Sequence, residues 1–226
     1  MSKYQFYWVF IIFVSLGVLG LPPCLYAAPI FIAVREASGE WVENVLVYVK
    51  PLSEAVKKAE TPGAIIVDQI DKEFIKPLTI VQLGTEVHFP NHDKIRHHVY
   101  SFSSAKKFEI PLYEGMPPNP IVFDKEGVVV LGCNIHDWMH AYIYVIDTPY
   151  FTTTGRDGQA LLDLPLGNYA VRVWHPRLKE SASQTSQELR VNEEKRMDAL
   201  FTIALMRGWN PRRGPITRPF SRGEYR

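Results

Sequence analysis

The segment from Cys133 to Met139 contains three side chains that bind soft and borderline metal ions. Cys133, His136 and Met139 follow one another at intervals of three residues, so one short loop carries a thiolate, an imidazole and a thioether. Two His, one Cys and a distant axial Met form the ligand set of a blue-copper electron-transfer site. The loop supplies three of these four ligands, and a second His must come from elsewhere in the chain.

An ion that carries one electron must be held well in two oxidation states. Cu(I) favours soft sulfur ligands and Cu(II) favours imidazole nitrogen, so a mixed set suits the ion before and after transfer. A site that keeps nearly one geometry in both states needs ligands fixed by packing on rigid elements. The residue types and their spacing therefore predict a copper site for electron transfer.

The second His has two candidates, His97 and His98, at the start of one predicted strand. Successive side chains of a strand point to opposite faces, so only one of the two is able to reach the metal. A structural role is the simpler interpretation for the other candidate ligands, which are His88, His92, Asp137, His140 and His175.

Apolar runs on both sides of the loop, 128–131 and 141–146, predict two strands that hold it. Helix signals are nearly absent apart from one short segment, 53–60, and the predicted fold class is all-β. Short, evenly spaced strands separated by turn residues are typical of a Greek-key sandwich. The predicted strands are 64–68, 79–82, 86–89, 97–102, 107–110, 121–123, 128–133 and 140–146.

Two stretches, KEFIKPLTIVQLGTEVHFPNHDKIRHHVYSF and FDKEGVVVLGCNIHDWM, resemble a cupredoxin. They contain a strand ending in Phe-Pro-Asn, a His at the start of the next strand, and a Cys/His/Met loop near the end. The loop spacing is similar to that of amicyanin-like members and of plastocyanin-like methylamine utilization proteins. The resemblance covers 64–147 and implies one type 1 copper ion, bound by His97, Cys133, His136 and Met139.

The resemblance also bears on the choice between the two adjacent histidines. In cupredoxins the ligand His is commonly followed by Asn and Val, and matching that triplet to His97-His98-Val99 makes His97 the expected ligand. His98 then replaces the Asn whose side chain ties the ligand strand to the loop in the family. We expect an imidazole N–H of His98 to keep that role, as outer partners of metal ligands do.

The two flanks of this unit, 28–52 and 150–206, resemble together a carboxypeptidase-regulatory-like β-sandwich. The second flank contains its Thr-Gly-x-Asp-Gly turn and its Pro-x-Gly-x-Tyr hairpin. That fold is continuous in sequence, whereas here the cupredoxin-like unit stands between its second and third strands. The resemblance implies a discontinuous second sandwich in which 28–52 pairs with 150–206.

The chain starts with the layout of a secretory signal peptide over 1–27. Lys3 is followed by the apolar run 6–21, a Pro-Pro break and small residues at the expected cleavage site after Ala27. An uncleaved membrane anchor is the alternative, although the prolines end a helix early. Cleavage leaves Cys133 as the sole thiol and no integral membrane span.

Residues 207–226 contain six Arg and one Glu, which predicts a disordered basic tail.

The net charge of the chain and its expected oxidising compartment limit the classes of function that are possible. Removing Lys3 from the 25 basic residues leaves 24, equal to the 24 acidic residues, and a neutral chain argues against nucleic-acid binding. A lone thiol in an oxidising compartment indicates reactivity or metal binding. The sequence predicts an exported, periplasmic blue copper protein that carries single electrons between a donor and an acceptor redox protein and is not an enzyme. The alternatives are a copper storage or delivery protein and a β-sandwich binding module with a structural metal.

Overall fold

The protein is described here by a computed structural model that covers residues 27–53, 63–181, 184–192 and 196–207. These residues form β-strands and turns without a helix, so the all-β fold class is confirmed. Three predicted segments lie almost wholly outside the described residues, which include only Ala27 of the signal peptide 1–27, Ser53 of the helix 53–60 and Arg207 of the tail 207–226. In the described part of the chain, no helix has the length and apolar character needed to span a membrane.

The strands in chain order are β1 Ala27–Glu36, β2 Leu46–Pro51, β3 Ile65–Ile66, β4 Gln69–Ile70, β5 Glu73–Phe74, β6 Leu78–Gln82, β7 Thr85–His88, β8 His97–Ser103, β9 Lys106–Tyr113, β10 Ile121–Phe123, β11 Gly127–Cys133, β12 His140–Ile146, β13 Phe151–Thr153, β14 Gln159–Pro165, β15 Gly167–Trp174, β16 Ser186–Val191 and β17 Met197–Ile203.

Strands β3 to β12 form one sandwich, which we call the inserted sandwich. One of its sheets has the order β6-β12-β11-β8-β9 and the other has the order β10-β7-β3, while β4 and β5 form a separate hairpin. The alternation of apolar and polar residues sends Val87, Phe123, Val129 and Ile143 into one core between the sheets. Strands distant in sequence pair within the larger sheet, as in the parallel pair of β6 and β12.

The remaining strands form a second sandwich, which we call the flanking sandwich. Its sheets have the orders β14-β1-β17 and β13-β2-β15-β16, and they enclose a core that includes Ile30, Val47, Tyr169, Val171 and Phe201. Strands β1 and β2 precede the inserted sandwich, and their pairing partners β13, β14, β15 and β17 all follow it. The flanking sandwich is therefore discontinuous in sequence.

The two sandwiches share an apolar contact on the outer face of β12. Tyr144 and Ile146 of β12 are buried against Leu46 and Tyr48 of β2, and the ring of Trp174 lies 4.9 Å from the ring of Tyr144. The hydroxyls of Tyr48 and Tyr144 are 3.1 Å apart and hydrogen-bonded. The inner face of the same strand packs in the inserted core. Strand β12 is thus held between two apolar clusters.

We expect the stability of the protein to fall as the pH rises above 10.0, the ordinary pKa of tyrosine. Burial raises the pKa of Tyr113 to about 12 and that of Tyr169 to about 12, and it also raises the pKa of Tyr144. The unfolded chain therefore loses these protons first, so their stabilising contribution is complete below pH 10.0 and declines between there and about 12. Urea unfolding at a series of pH values, with tyrosinate absorbance recorded in parallel, measures this decline.

Tyr144→Phe serves as the comparison for that measurement. Removing the ionisable hydroxyl removes its part of the pH dependence, so the variant should show a smaller loss of unfolding free energy between neutral and alkaline pH. A wild-type protein whose unfolding free energy stays constant to pH 12 would contradict the prediction.

Candidate metal centre

The loop from Cys133 to His140 joins the end of β11 to the start of β12 and is closed by backbone hydrogen bonds. The Cys133 N–H donates to the Met139 carbonyl at 3.1 Å, and the Met139 N–H donates to the His136 carbonyl at 3.0 Å. The antiparallel register of the two strands, with Gly132 opposite His140, brings the loop ends together. The shape of the loop is therefore set by the main chain.

Three side chains converge at this loop, two from the loop itself and one from β8. One nitrogen each of His97 and His136 and the sulfur of Cys133 all lie within 4.8 Å of one another. The Cys133 Sγ is 3.7 Å from His97 Nδ1 and 3.9 Å from His136 Nδ1. The exposed fractions of His97, Cys133 and His136 are 0%, 4% and 8%, so the cluster is almost closed to solvent.

These separations fit a single transition-metal ion. Taking the thiolate and imidazole bond lengths of zinc, one ion places its sulfur and nitrogen about 3.6 Å apart at a tetrahedral angle and about 3.8 Å apart at a trigonal angle. The two sulfur to nitrogen distances of 3.7 and 3.9 Å are close to these values. The three residues therefore fit a bound ion with little rearrangement.

Met139 lies at the other end of the same loop. Its side chain is 2% exposed and belongs to the buried cluster that also contains Cys133. The buried Met139 thioether adds a second soft sulfur to the loop, and soft sulfur favours copper over hard cations. The structure thus brings His97, Cys133 and His136 together and places Met139 in the same core.

Of the two adjacent histidines, His97 is the one that enters the cluster. His98 points to the opposite face of β8, where its Nε2 is 2.9 Å from a carboxylate oxygen of Glu109. Strand alternation had predicted this division. The prediction that the His98 imidazole bonds to the loop is wrong. The contact is made by the His98 backbone carbonyl, which accepts a hydrogen bond from the Asn134 N–H at 3.2 Å.

The other candidate ligands lie outside the cluster. His92 Nε2 is 3.1 Å from Asp68 Oδ1, and His140 Nδ1 donates to the Trp138 carbonyl at 3.0 Å. His175 follows β15 in the flanking sandwich, where burial lowers its pKa to about 4. His88 is half-buried in β7, and Asp137 is exposed on the loop. Within the described residues, the metal-type cluster consists of His97, Cys133 and His136.

Both imidazoles of the cluster have further interactions. Burial lowers the pKa of His136, and the nearby His97 and Lys72 lower it further, so its ring favours the neutral form with a lone pair. His97 Nε2 is 2.7 Å from Asp93 Oδ2, on the side of the ring opposite the thiol. Burial acts to raise the pKa of Asp93, and hydrogen bonds from His97, Lys72 and Asp71 outweigh it, so the carboxyl is ionised.

Asp93 was not identified from the sequence. The only signal is its position four residues before His97, because a loop residue at that distance is able to fold back onto the start of the strand. The hairpin that contacts Asp93 was missed as well, since each of its strands is two residues long.

Comparisons with known proteins give structural likenesses only. No protein-family model matches the chain, and no curated protein matches it. Among solved structures, a mutant amicyanin in its reduced Cu(I) form is 20% identical, with a TM-score of 0.34 over 43% of this chain and 98% of that chain. A copper-containing nitrite reductase from Thermus scotoductus is 24% identical, with a TM-score of 0.36 over 44% of this chain and 26% of that chain.

A third solved structure, a purple cupredoxin from Nitrosopumilus maritimus, is 22% identical, with a TM-score of 0.31 over 36% of this chain and 98% of that chain. Similarity of this extent assigns neither a family nor a function. The carboxypeptidase-regulatory-like resemblance of the flanks stays a prediction from the sequence.

We expect the Cys133 thiol to react slowly in the folded, metal-free protein, because its side chain is 4% exposed. Labelling with a thiol reagent, read at the Cys133 peptide by mass spectrometry, should be slower in native buffer than in denaturant by on the order of 100-fold or more. A cysteine at the exposed position Phe102, made as Phe102→Cys in a Cys133→Ser background, provides the reference for a freely accessible thiol. Equal labelling rates at the two positions would contradict the buried cluster.

Proposed function

We propose that this chain is an exported copper protein that carries single electrons between a donor and an acceptor redox protein. In this proposal His97, Cys133, His136 and Met139 bind one type 1 copper ion. The supporting observation is the convergence of two imidazole nitrogens on one buried thiol at 3.7 and 3.9 Å. The signal-like pattern of 1–27 supports a periplasmic location.

The donor set favours copper over zinc. Structural zinc sites are completed by Cys, His or carboxylate, whereas a thioether suits copper. Met139 is buried in the same core as Cys133, and the Asp93 carboxylate contacts the far nitrogen of His97. In the proposed site Cys133, His97, His136 and Met139 would hold the copper ion. A bound copper ion would supply a one-electron couple there.

The surroundings of the donors suit electron transfer. His97 lies on β8 and Cys133 on β11, which are paired, and the loop that carries His136 is closed by its own backbone bonds. Ligands fixed in this way change position little between two oxidation states, and this keeps the rearrangement on electron transfer small.

Burial of the donor atoms supports a carrier over a catalyst. A substrate that reacts at a metal needs an accessible position on it, whereas an electron reaches the metal through the protein. The three donors are 8% exposed or less. We therefore propose that the chain transforms no substrate.

An apolar surface patch next to His136 is the proposed docking site for redox partners. Ile135 and Trp138 flank His136 in the loop and are 48% and 42% exposed. The Trp138 ring lies 5.1 Å from the His136 ring. Small interfaces are typical of weak electron-transfer encounters, which must dissociate quickly. His136 would then be the ligand through which electrons leave.

We expect the wild-type protein to turn intensely blue on addition of Cu(II), to bleach with a reductant and to recover on reoxidation. Cys133→Ser should remove the colour because the thiolate is lost. His97→Ala should weaken Cu(II) binding by at least about 100-fold, since loss of a ligand is more severe than loss of an outer partner. Visible absorption and copper titration measure these effects, with circular dichroism to verify folding.

His98→Ala is the matched control for His97→Ala, because the two residues are adjacent and His98 contacts Glu109 outside the cluster. The control should keep the blue colour. A wild-type protein that stays colourless with Cu(II) would overturn the proposal. Retention of Cu(I) with transfer to a chelator and without reversible colour would favour the storage or delivery function.

A further inference from the structure

The hairpin of β4 and β5 ends in a turn that proteins rarely make from these residues. Asp71 and Lys72 are its two central residues, with φ of 55° and 64°, between the paired residues Ile70 and Glu73. A two-residue hairpin turn of this type requires positive φ at both positions and usually contains Asn-Gly or Asp-Gly. Non-glycine residues in this region are disfavoured by steric contact, and such positions often mark functional sites.

The turn directs two backbone amides onto one carboxylate. The Asp71 N–H donates to Asp93 Oδ1 at 2.7 Å, and the Lys72 N–H donates to Asp93 Oδ2 at 2.8 Å. Successive amides in such a conformation form a concave anion-binding site. The Asp93 backbone is fixed as well, because its N–H donates to Asn91 Oδ1 at 2.9 Å. The carboxylate is therefore held in place, with 12% of its side chain exposed.

The same carboxylate determines which nitrogen of His97 carries the proton. An ionised carboxylate only accepts hydrogen bonds, so the 2.7 Å contact with His97 Nε2 requires a proton on that nitrogen. In a neutral ring the lone pair then belongs to Nδ1, the atom that lies 3.7 Å from Cys133 Sγ. The opposite tautomer would place a lone pair against the carboxylate oxygen.

We propose that Asp93, held by the amides of the 71–72 turn, is a positioning residue of the metal centre. It fixes the tautomer and orientation of His97, and its negative charge favours the higher oxidation state of the bound ion. A carboxylate bonded to a ligand imidazole makes that ligand more basic, and a more basic ligand stabilises the more positive ion. The effect on the copper couple rests on the proposed function, whereas the effect on His97 does not.

The test compares Asp93→Asn with wild type. An Asn side chain has one oxygen and one NH₂ group, so it is unable to accept from both turn amides and from His97 as the carboxylate does. Loss of an outer partner lowers metal affinity by about 10-fold to 100-fold. If that loss falls on Cu(II) alone, the reduction potential rises by about 59 to 118 mV, at 59 mV per tenfold for one electron. Spectroelectrochemical titration measures the potential.

Asp68→Asn is the matched control. Asp68 Oδ1 makes a similar contact with His92 Nε2 at 3.1 Å, but the His92 side chain is 56% exposed and lies outside the metal-type cluster. The control removes the same charge from the same region, so it corrects for long-range electrostatic effects. We expect its potential to stay close to that of wild type. Equal potentials for the Asp93 and Asp68 variants would overturn the proposal.

A measurement without copper separates this inference from the proposed function. Nitrogen NMR of the imidazoles in the metal-free protein reports the His97 tautomer, and Zn(II) titration reports metal affinity. We expect a proton fixed on Nε2 of His97 in wild type, and a mixed tautomer with weaker Zn(II) binding in Asp93→Asn. This outcome supports the role of Asp93 even for a protein that stays colourless with Cu(II). An unchanged tautomer and Zn(II) affinity would overturn it.

A second variant tests the turn. The double substitution Asp71→Gly and Lys72→Gly keeps both amides and removes the steric penalty of positive φ, because glycine adopts this conformation readily. If backbone amides hold Asp93, the double variant should keep the His97 tautomer of wild type. A mixed tautomer like that of Asp93→Asn would show that the turn side chains are required and would overturn the assignment to the amides.

Discussion

The antiparallel pairing of β8 with β11 is the constraint on which the centre depends. It sets Cys133 opposite Val99, two residues after His97, so the thiol and the imidazole reach the same interior from neighbouring strands. Because side chains alternate along a strand, a slip of one residue in this register would turn His98 inward and His97 outward. The entry of His97 into the cluster beside the Cys133 thiol follows from this register.

The second constraint is the position of β12, which starts where the loop that follows Cys133 ends. Most sheets of antiparallel sandwiches pack on one face and meet water on the other. In this protein Ile143 and Val145 lie in the inserted core, while Tyr144 and Ile146 are buried beneath the flanking sandwich. The flanking sandwich thus supports the loop from a distance, by packing on the strand that follows it.

The sequence predicts the structure best where a feature depends on residue types and their spacing. Strand periodicity predicted β10 and β12 with the bounds seen here and placed His97 and His98 on opposite faces. It missed the β4–β5 hairpin, because strands of two residues show no periodicity and the Asp-Lys turn lacks the usual glycine. It also missed the hydrogen bond from the Asn134 N–H to the His98 carbonyl, because a hydrogen bond between main-chain atoms does not depend on residue type.

The discontinuity of the flanking sandwich separates the synthesis of its paired strands. Strands β1 and β2 are made first, but most of their hydrogen-bonding partners are made last, after the whole inserted sandwich. In the folded protein the two flanks meet on either side of the insertion, where Thr148 Oγ1 donates to the Val49 carbonyl at 2.6 Å. A compact insertion that keeps these points close reduces the entropy lost on joining the outer strands. A folded inserted sandwich therefore lowers the entropic cost of pairing β1 and β2 with the strands that follow it.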